Sequence, residues 1–431
     1  MFKTHRFICH FLCGAALFSL LPACSDDNDS PASAAEGAWS ATMSGRDGVL
    51  GQYPDLYSNY WEFTWDAGAA SDVAVRLEGQ YPYARYFSFS LYDDNTGDAV
   101  GGLNDFEIAP DQGGINPFVS TTYRHDRFTV YIVPAAATDR QLASLACANI
   151  IRLPAEVAKA AIVLRHYLGE DGNGVYHEYG GVELPKITAV SLADGKPTDC
   201  PAHVASNVSS LQNRVFTMES DDFHDMPFYL SPVSRFYPNN STKYLYARTR
   251  LLADQVLHFA FIPVTVPAKV EDYAGAAARY WSICLGSAAN TRSYLSVCDT
   301  EANVAPADEK TDFAVVLKAN PRLDEIKQLI EEKNAAGGHI NLFVWDSGMR
   351  DVDGKPLGDV IAVMYRNILA NPDWEHSIAN MLPTDYKDES GEPYQHVTDP
   401  TRQVAHIALG DYGPYGVKMP SADFIARLSA Q

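Results

Sequence analysis

The chain has 431 residues, and its 54 acidic residues outnumber its 33 basic residues, which gives a formal net charge of −21. Nucleic-acid binding and adhesion to anionic membranes both depend on basic patches, so we expect no nucleic-acid partner. Aromatic residues make up 11% of the chain, glycine and proline are frequent, and long helical patterns are few. This composition favours a mainly β fold.

The amino terminus has the organisation of a bacterial export signal. Basic residues precede an apolar run over residues 7–21, which is at the short end for a transmembrane span of about 20 residues. The sequence Leu21-Pro22-Ala23-Cys24 then resembles the lipobox of bacterial lipoproteins, whose cysteine is acylated. We therefore expect residues 1–23 to be a signal peptide and Cys24 to be the lipidation site. The alternative is an uncleaved membrane anchor.

The segment that follows is typical of a tether. Residues 24–38 are mostly polar or small and include a run of aspartates, without helix or strand periodicity, so we expect an acidic flexible linker. Loss of the signal peptide removes two basic residues and no acidic ones, which brings the net charge to −23. Ser25 after the cysteine resembles the sorting signal for the outer membrane. We expect a cell-envelope protein attached to the membrane through its lipid, at the periplasmic or the outer surface.

Four cysteines remain for the mature fold, namely Cys147, Cys200, Cys284 and Cys298. An even number of cysteines in an oxidising compartment is consistent with two disulfides. Cys284 and Cys298 lie on what the pattern predicts to be successive strands, which favours a bond between them and leaves Cys147 to pair with Cys200. The alternative is four buried free thiols.

The most informative pattern is a faint internal repeat. Four blocks recur in the same order in the two halves of the chain, and the offset from Arg85 to Arg279 equals that from Asp105 to Asp299, 194 residues. We therefore predict a duplication. The first-half blocks are residues 84–91, 103–111, 126–133 and 161–165, and the second-half blocks are residues 278–285, 297–306, 311–317 and 361–366.

The repeated blocks have the character of strands. Residues 85–91 alternate polar and bulky side chains with a period of two, and turn sequences rich in glycine, aspartate and asparagine separate the blocks. We predict two tandem antiparallel β-sandwich domains over residues 39–205 and 206–431. The second domain carries a helical insertion around residues 321–336, capped by Asn320. Further short helices are predicted after Thr138 and after Asn371-Pro372.

A resemblance to known proteins covers most of the mature chain. It is carried by Arg76-Leu-Glu-Gly79, Arg85-Tyr86-Phe87-Ser88, Gly180-Gly181-Val-Glu-Leu184-Pro185, Tyr237-Pro238-Asn239 and Arg279-Tyr280-Trp281-Ser282. These segments resemble a family of uncharacterised exported bacterial proteins. More distantly, the chain is similar to the paired β-rich domains of unknown function in secreted bacterial proteins. The resemblance implies a β-rich exported protein and no particular reaction.

Two equivalent arginines are the leading candidates for ligand binding. Arg85 and Arg279 stand beside aromatic residues, where a guanidinium could hold a ligand carboxylate or stack on a ring. The alternative is an architectural ion pair within each repeat, Arg85 with Asp105 and Arg279 with Asp299. Recurrence in both halves favours the architectural role.

Candidate cation sites are weaker. Asp221, Asp222, His224 and Asp225 form the densest cluster of possible metal ligands, although such charge runs are usually solvated linkers. Turns such as Asp171-Gly172-Asn173-Gly174 place oxygen donors at alternate positions, as calcium loops do, but none completes an EF-hand. No cofactor is expected, with calcium as the one alternative.

The sequence lacks the common catalytic motifs, including the nucleophile elbow and the phosphate-binding loops. We therefore expect a binding protein that takes up an apolar or aromatic small molecule, or a glycan, in a cleft between its two halves. The alternative is an extracytoplasmic hydrolase that uses two carboxylates, since such chemistry leaves no linear motif. Its candidates are Asp105, Asp111, Asp221 and Asp222.

Overall fold

The first half of the chain folds into two five-stranded sheets that share one core. The computed structural model describes residues 36–47, 53–68, 72–122, 124–207, 226–230, 237–239, 241–267, 269–288, 290–381 and 403–430. The signal peptide and Cys24 therefore lie outside the described residues. The first-half elements are β1 (Met43–Ser44), β2 (Ser58–Asp66), β3 (Val73–Gln80), β4 (Tyr86–Asp93), β5 (Ala99–Asn104), β6 (Arg127–Pro134), α1 (Asp139–Leu145), β7 (Ile150–Leu153), β8 (Lys159–Tyr167), β9 (Lys186–Ser191) and β10 (Pro197–Thr198).

The second half contributes nine strands and three helices to the described structure. They are β11 (Met226–Leu230), β12 (Thr242–Arg250), β13 (Gln255–Phe261), β14 (Tyr280–Ser287), β15 (Ser293–Cys298), β16 (Thr311–Leu317), α2 (Leu323–Ala335), β17 (Ile340–Trp345), β18 (Val360–Ile368), α3 (Val404–Leu409), β19 (Tyr415–Pro420) and α4 (Ser421–Ala430). No helix of the described part is long and apolar enough to cross a bilayer.

The sheet order shows that the two halves have the same design. One first-half sheet runs β1-β2-β8-β4-β5, and its counterpart in the second half runs β11-β12-β18-β14-β15. The other pair runs β10-β9-β3-β6-β7 and β19-β13-β16-β17. Each of the strands β1 to β9 thus has its equivalent ten strands later, and β10 is an addition. The prediction of two mainly β sandwich halves is confirmed.

Alternating side chains explain why each half is a sandwich. In β4 the residues Phe87, Phe89 and Leu91 are buried in the first-half core, while Ser88 and Ser90 point to the opposite face. The equivalent β14 places Trp281, Ile283 and Leu285 in the second-half core. The first sheet of each half therefore has two covered faces, one towards its own sandwich core and one towards the rest of the molecule.

The sandwiches are not purely antiparallel, contrary to the prediction. Strand β7 pairs with β6 in parallel, and β17 pairs with β16 in parallel. In each half a helix lies between these two strands, α1 in the first half and α2 in the second. A parallel pair needs such a crossover connection, which is why a helix recurs at this point of the repeat.

The predicted helices have mixed outcomes. Thr138 caps α1 with a reciprocal Gln141 contact, as its capping-box spacing predicts. Helix α2 is confirmed but begins at Leu323, with Arg322 and not Asn320 at the N-cap position, although Asn320 Oδ1 accepts the Arg322 backbone N–H at 2.9 Å. The helix predicted after Asn371-Pro372 is wrong, since that segment forms turns and a single 3-10 turn at Ile378–Asn380.

Candidate functional site between the two halves

The four residues predicted as a ligand-binding or ion-pair set are found together, but paired across the halves. Arg85 Nη1 lies 2.8 Å from Asp299 Oδ2, and Arg279 Nη1 donates to Asp105 Oδ1. The expected pairs within each repeat, Arg85 with Asp105 and Arg279 with Asp299, are therefore wrong. The exchange is reciprocal, so it relates the two halves like the subunits of a two-fold dimer.

These ion pairs are built into the interior. Asp105 is fully buried and also accepts a hydrogen bond from the Phe87 backbone N–H at 3.1 Å. Burial raises the pKa of Asp105 and of Asp299 above the ordinary value of a carboxyl group, against the opposing attraction of the arginines. The Arg279 guanidinium is 4.3 Å from the centre of the Tyr273 ring. All four side chains are thus engaged with the protein itself.

The halves also exchange two short chain segments, which we name the first arm (residues 53–55) and the second arm (residues 237–239). The first arm leads into β2 of the first half, yet Tyr53 N donates to Thr291 O of the second half at 2.5 Å. The second arm leads into β12, yet Tyr237 N donates to Gly97 O of the first half at 3.3 Å. Each arm therefore lies on the sheet of the opposite half.

The two arms are equivalent in sequence and backbone. They read Tyr53-Pro54-Asp55 and Tyr237-Pro238-Asn239, separated by 184 residues. Both tyrosines have a positive φ, 51° and 47° respectively, which is uncommon for a bulky residue. The Tyr237 ring stacks on Tyr92 with a centroid distance of 4.4 Å. At the position equivalent to Tyr92 the second half has Gly286, against which the Tyr53 ring packs.

Each arm covers a buried arginine of the opposite half. Arg366 of β18 donates through Nη2 to Tyr53 O at 2.9 Å, and Arg165 of β8 donates through Nη2 to Tyr237 O at 2.8 Å. Both arginines have less than 5% of their surface exposed. A buried guanidinium is costly unless an acid and hydrogen bonds compensate it, so the partners of the two arginines decide the electrostatics of this region.

Arg366 has such a partner in the first arm. The Asp55 carboxylate lies 3.5 Å from Arg366 Nη1 and accepts hydrogen bonds from Tyr280 Oη at 2.9 Å and Ser282 Oγ at 2.7 Å. Its other oxygen accepts from the Tyr57 backbone N–H at 3.0 Å. Arg366 Nε is the one nitrogen of this guanidinium that has no hydrogen-bond partner in the described structure.

Arg165 lacks the equivalent acid, because Asn239 stands where the other arm has Asp55. No ion pair within the described part of the chain includes Arg165, and its Nη1 has no hydrogen bond of normal geometry. Two neighbouring atoms also lack a hydrogen bond of normal geometry. They are Oγ of Ser88, which lies opposite Arg165 on the adjacent strand, and Nδ2 of Asn239. Asn239 Oδ1 accepts from Tyr86 Oη at 3.3 Å. Arg165 therefore meets neutral hydroxyl and amide groups where Arg366 meets a carboxylate.

Tyrosines from both halves surround the two arginines. The Tyr60 and Tyr92 rings lie 5.7 Å and 5.5 Å from the Arg165 guanidinium, and the Tyr244 ring lies 5.6 Å from that of Arg366. Tyr60, Tyr244 and Tyr246 keep part of their surface exposed, unlike the arginines. The result is a tyrosine-lined face between the halves with a buried positive centre.

A second polar cluster fixes the second arm. Asp94 is fully buried, pairs with Lys159 at 2.8 Å, and accepts hydrogen bonds from Ser206 and from the Tyr237 hydroxyl. Burial opposes ionisation of Asp94, but these donors outweigh it and hold its pKa below the ordinary value. Burial raises the pKa of the neighbouring Glu62. This cluster thus contains two buried carboxyl groups with opposite pKa shifts.

The predicted disulfides are not formed, and the four cysteines are free thiols. Cys284 lies opposite Ser296 in the strand pair, two residues away from the register that would bring Cys298 opposite to it. Its Sγ lies 2.9 Å from Ser296 Oγ, and burial raises the pKa of both thiols to about 11. Cys147 and Cys200 pack on opposite faces of the same sheet, which separates them.

The remaining candidate residues do not assemble into a site. Asp221, Asp222, His224 and Asp225 lie outside the described residues. In the described structure no group of three or more histidine, cysteine or acidic side chains is arranged to hold a metal ion. Asp171, which begins one of the calcium-like turns, accepts the backbone N–H groups of Asn173 and Val175, as turn-forming aspartates do. Among the hydrolase candidates, Asp111 accepts from Thr129 Oγ1 at 3.3 Å, apart from the Asp105 pair.

The sequence pattern assigned no role at the site to Arg165, Arg366 or the two arms, although the second arm is one of the segments that carry the family resemblance. A signal was present, because both arginines end the last block of the repeat and one Tyr-Pro-Asx segment occurs in each half. What the pattern could not indicate is that each arm lies on the other half and that one copy has lost its acid.

No model of a protein family matches the chain, and no curated protein matches it by sequence. Solved structures do match. An uncharacterised protein from Burkholderia cenocepacia has a TM-score of 0.48 and 12% identity over 89% of this chain and 82% of that one. The VPA0106 protein from Vibrio parahaemolyticus has a TM-score of 0.40 and 10% identity over 77% of this chain and 88% of that one. These similar structures are uncharacterised bacterial proteins.

Proposed function

We propose that this chain is a lipid-anchored cell-envelope protein that binds a small organic molecule between its two halves, without catalysis. The observation that carries the proposal is the tyrosine-lined face to which both halves contribute. Tyr60 comes from β2, and Tyr244 and Tyr246 come from β12. Aromatic rings with a few convergent polar groups at an interface between sandwiches are typical of ligand sites.

The polar groups of this face suit recognition of an aromatic compound or a sugar ring. Tyrosine rings offer broad apolar contact, and their hydroxyl groups can exchange hydrogen bonds with a ligand. The Tyr53 and Tyr246 hydroxyl groups lie 3.4 Å apart. Tyr60, Tyr244 and Tyr246 keep part of their surface exposed, so this face meets solvent. The charged groups of Arg85 and Arg279 are already used in ion pairs within the protein.

One observation favours the alternative, a hydrolase that uses two carboxyl groups. Glu62 and Asp94 have opposite pKa shifts, as an acid and its partner carboxylate would. Against it, Asp94 is saturated by Lys159, Ser206 and the second arm, and has no exposed surface. A carboxylate so enclosed is better suited to fixing the arm than to meeting a substrate.

The binding proposal is tested by thermal melting of the chain from Ser25 onward with neutral aromatic compounds (phenol, benzyl alcohol and indole) and a glycan panel. A ligand of the folded state raises the melting temperature in proportion to ln(1 + [L]/Kd). We expect one class to raise it, and Tyr246→Ala to weaken that effect. Tyr176→Ala is the matched control, because Tyr176 is a half-exposed tyrosine that contacts Arg46 and Asn59 instead of the two central arginines.

Two results would contradict the proposal. If no compound shifts the melting temperature, the face does not bind ligands of these classes. If a carbohydrate is cleaved, and Asp94→Asn abolishes the cleavage while Tyr246→Ala does not, the protein is a hydrolase and the binding proposal is wrong.

Anchoring is tested separately from binding. Cys24→Ala should release the full chain from the membrane fraction, because the acyl chains at that residue would supply the attachment. Labelling with a fatty-acid probe that persists in this variant would refute acylation at Cys24. Fractionation of the outer from the inner membrane tests the proposed location.

A further inference from the structure

The interface between the two halves has the anatomy of an interface between two protein molecules. At its centre, Tyr86 and Tyr167 of the first half belong to one buried cluster with Tyr280 and Ile368 of the second half, and each of these side chains is less than 2% exposed. The Tyr167 and Tyr280 rings lie 5.5 Å apart. Protein–protein interfaces likewise have an aromatic-rich apolar centre with polar contacts around it. The halves therefore share a core that is separate from the two sandwich cores.

The polar contacts around this centre have the symmetry of a homodimer. Arg85 pairs with Asp299, and Arg279 pairs with Asp105, so equivalent residues make both ion pairs in opposite directions. The two arms are exchanged in the same way, since each lies on the sheet of the opposite half. Such an interface is isologous, because the same surface of each partner meets its own equivalent.

These contacts do not involve the peptide connection between the halves. The ion pairs join residues that are 174 and 214 positions apart in the chain. The connection includes residues 208–225, which lie outside the described residues, between Asn207 and the beginning of β11 at Met226. An extended segment of this length spans about 60 Å, which is enough to join halves that belong to two neighbouring pairs.

We infer that this interface fits a second copy of the chain, so that the first half of one molecule pairs with the second half of another. The inference goes beyond the proposed function and does not depend on a ligand. Within one chain the connection holds the halves at an effective concentration of about 1 mM, which keeps the wild type monomeric in dilute solution. A change that penalises pairing within one chain, but not between two chains, favours the exchanged dimer.

Two charge-reversal variants create this situation. Arg85→Glu places an acid beside Asp299, and Asp299→Lys places a base beside Arg85, so each variant alone contains a like-charged pair. If the two variants exchange halves, one pair is the wild-type pair and the other has its charges reversed, so both pairs again have opposite charges. The two variants of the chain from Ser25 onward are unfolded in urea, mixed in equal amounts and refolded. Light scattering after size-exclusion chromatography then gives the mass of each species.

The matched control makes the same changes in an ion pair within one half. Arg292 and Asp351 both belong to the second half and lie 3.7 Å apart, with side-chain exposures of 14% and 1%. The exposures of Arg85 and Asp299 are similar, 18% and 1%. Exchange of halves leaves positions 292 and 351 of one chain together, so a mixture of Arg292→Glu and Asp351→Lys gains nothing from it.

We expect the mixture of Arg85→Glu and Asp299→Lys to contain a species of twice the monomer mass, at least about ten-fold more abundant than in either variant alone or in the control mixture. Monomers alone in the mixture, or equal amounts of dimer in all samples, overturn the inference.

If the variants do not refold, the cleaved wild type decides. A protease site inserted between residues 207 and 226 allows the folded chain to be cut, and a tagged and an untagged copy are cut, unfolded and refolded together. Recovery of untagged second halves on tagged first halves supports the inference. Recovery of tagged first halves alone overturns it.

Discussion

Replacement of Asp55 by asparagine removes the only carboxylate that an arm places beside a central arginine. The change keeps the size of the side chain, so its effect comes from charge and hydrogen bonding. The carboxylate receives donors from Tyr57 at 3.0 Å, Tyr280 at 2.9 Å and Ser282 at 2.7 Å, and pairs with Arg366 at 3.5 Å. All of these contacts lie in the interior.

Removal of one partner of a buried ion pair costs about 3–5 kcal/mol, because the other charge is left uncompensated. We therefore expect Asp55→Asn to lower the free energy of unfolding by about that amount. The reverse change, Asn239→Asp, supplies a carboxylate to Arg165, Tyr86 and Ser88. Hydrogen bonds to charged groups contribute about 1.5–3 kcal/mol each, and desolvation of the new carboxylate offsets several kcal/mol. A net gain of about 1–3 kcal/mol is expected.

Both values can be measured by urea unfolding followed through tryptophan fluorescence, since the chain has six tryptophans. The double variant, Asp55→Asn with Asn239→Asp, moves the carboxylate from one arm to the other. Its free energy of unfolding should lie between those of the two single variants. We expect these changes because Asp55 compensates the buried charge of Arg366 and no acid compensates that of Arg165. A loss of less than about 1 kcal/mol for Asp55→Asn, or any loss of stability for Asn239→Asp, would refute this reasoning.

Three further predictions test other parts of the structure. Burial lowers the pKa of His166 to about 3, below its ordinary value, so the folded state requires the neutral ring. The stability that this ring provides is fully present above pH ~6.5 and is lost as the pH falls, by about 2 kcal/mol at pH 5. In urea unfolding, His166→Phe should reduce that loss. Gly286→Ala places a methyl group 2.5 Å from the tyrosine ring of the first arm and should cost about 1–3 kcal/mol, whereas Gly275→Ala, with nothing within 4 Å, should be neutral. A double-mutant cycle between Arg85 and Asp299 should give a coupling of about 0.5–3 kcal/mol, and a cycle between Arg85 and Asp105, the partner of Arg279, should give a smaller one.

The alternation of side chains was enough to predict the strands and the sandwich halves. Residues 85–91 have a period of two, and the structure places their aromatic members in the core. The equal offset of Arg85 and Asp105 from their counterparts also identified equivalent positions. Asp105 and Asp299 are equivalent, however, so each arginine could pair with either of them. The repeat alone does not show whether an arginine pairs with the aspartate of its own half or with that of the opposite half.

The disulfides and the central site depended on information that no linear pattern contains. Cys284 and Cys298 are on neighbouring strands, but a shift of two residues in register keeps their thiols unbonded. Arg165 was visible only as the end of a repeated block. Its importance follows from its complete enclosure and from Asn239 replacing the acid, and both depend on an arm that comes from the opposite half.

Calorimetric titration of the chain from Ser25 onward with the compound that raises its melting temperature most shows directly whether the tyrosine-lined face binds a ligand. We expect wild type to bind the compound without changing it, and Tyr246→Ala to bind it more weakly, because Tyr246 is a partly exposed member of that face. Equal binding by wild type and Tyr246→Ala, or cleavage of the compound, would contradict the proposed function.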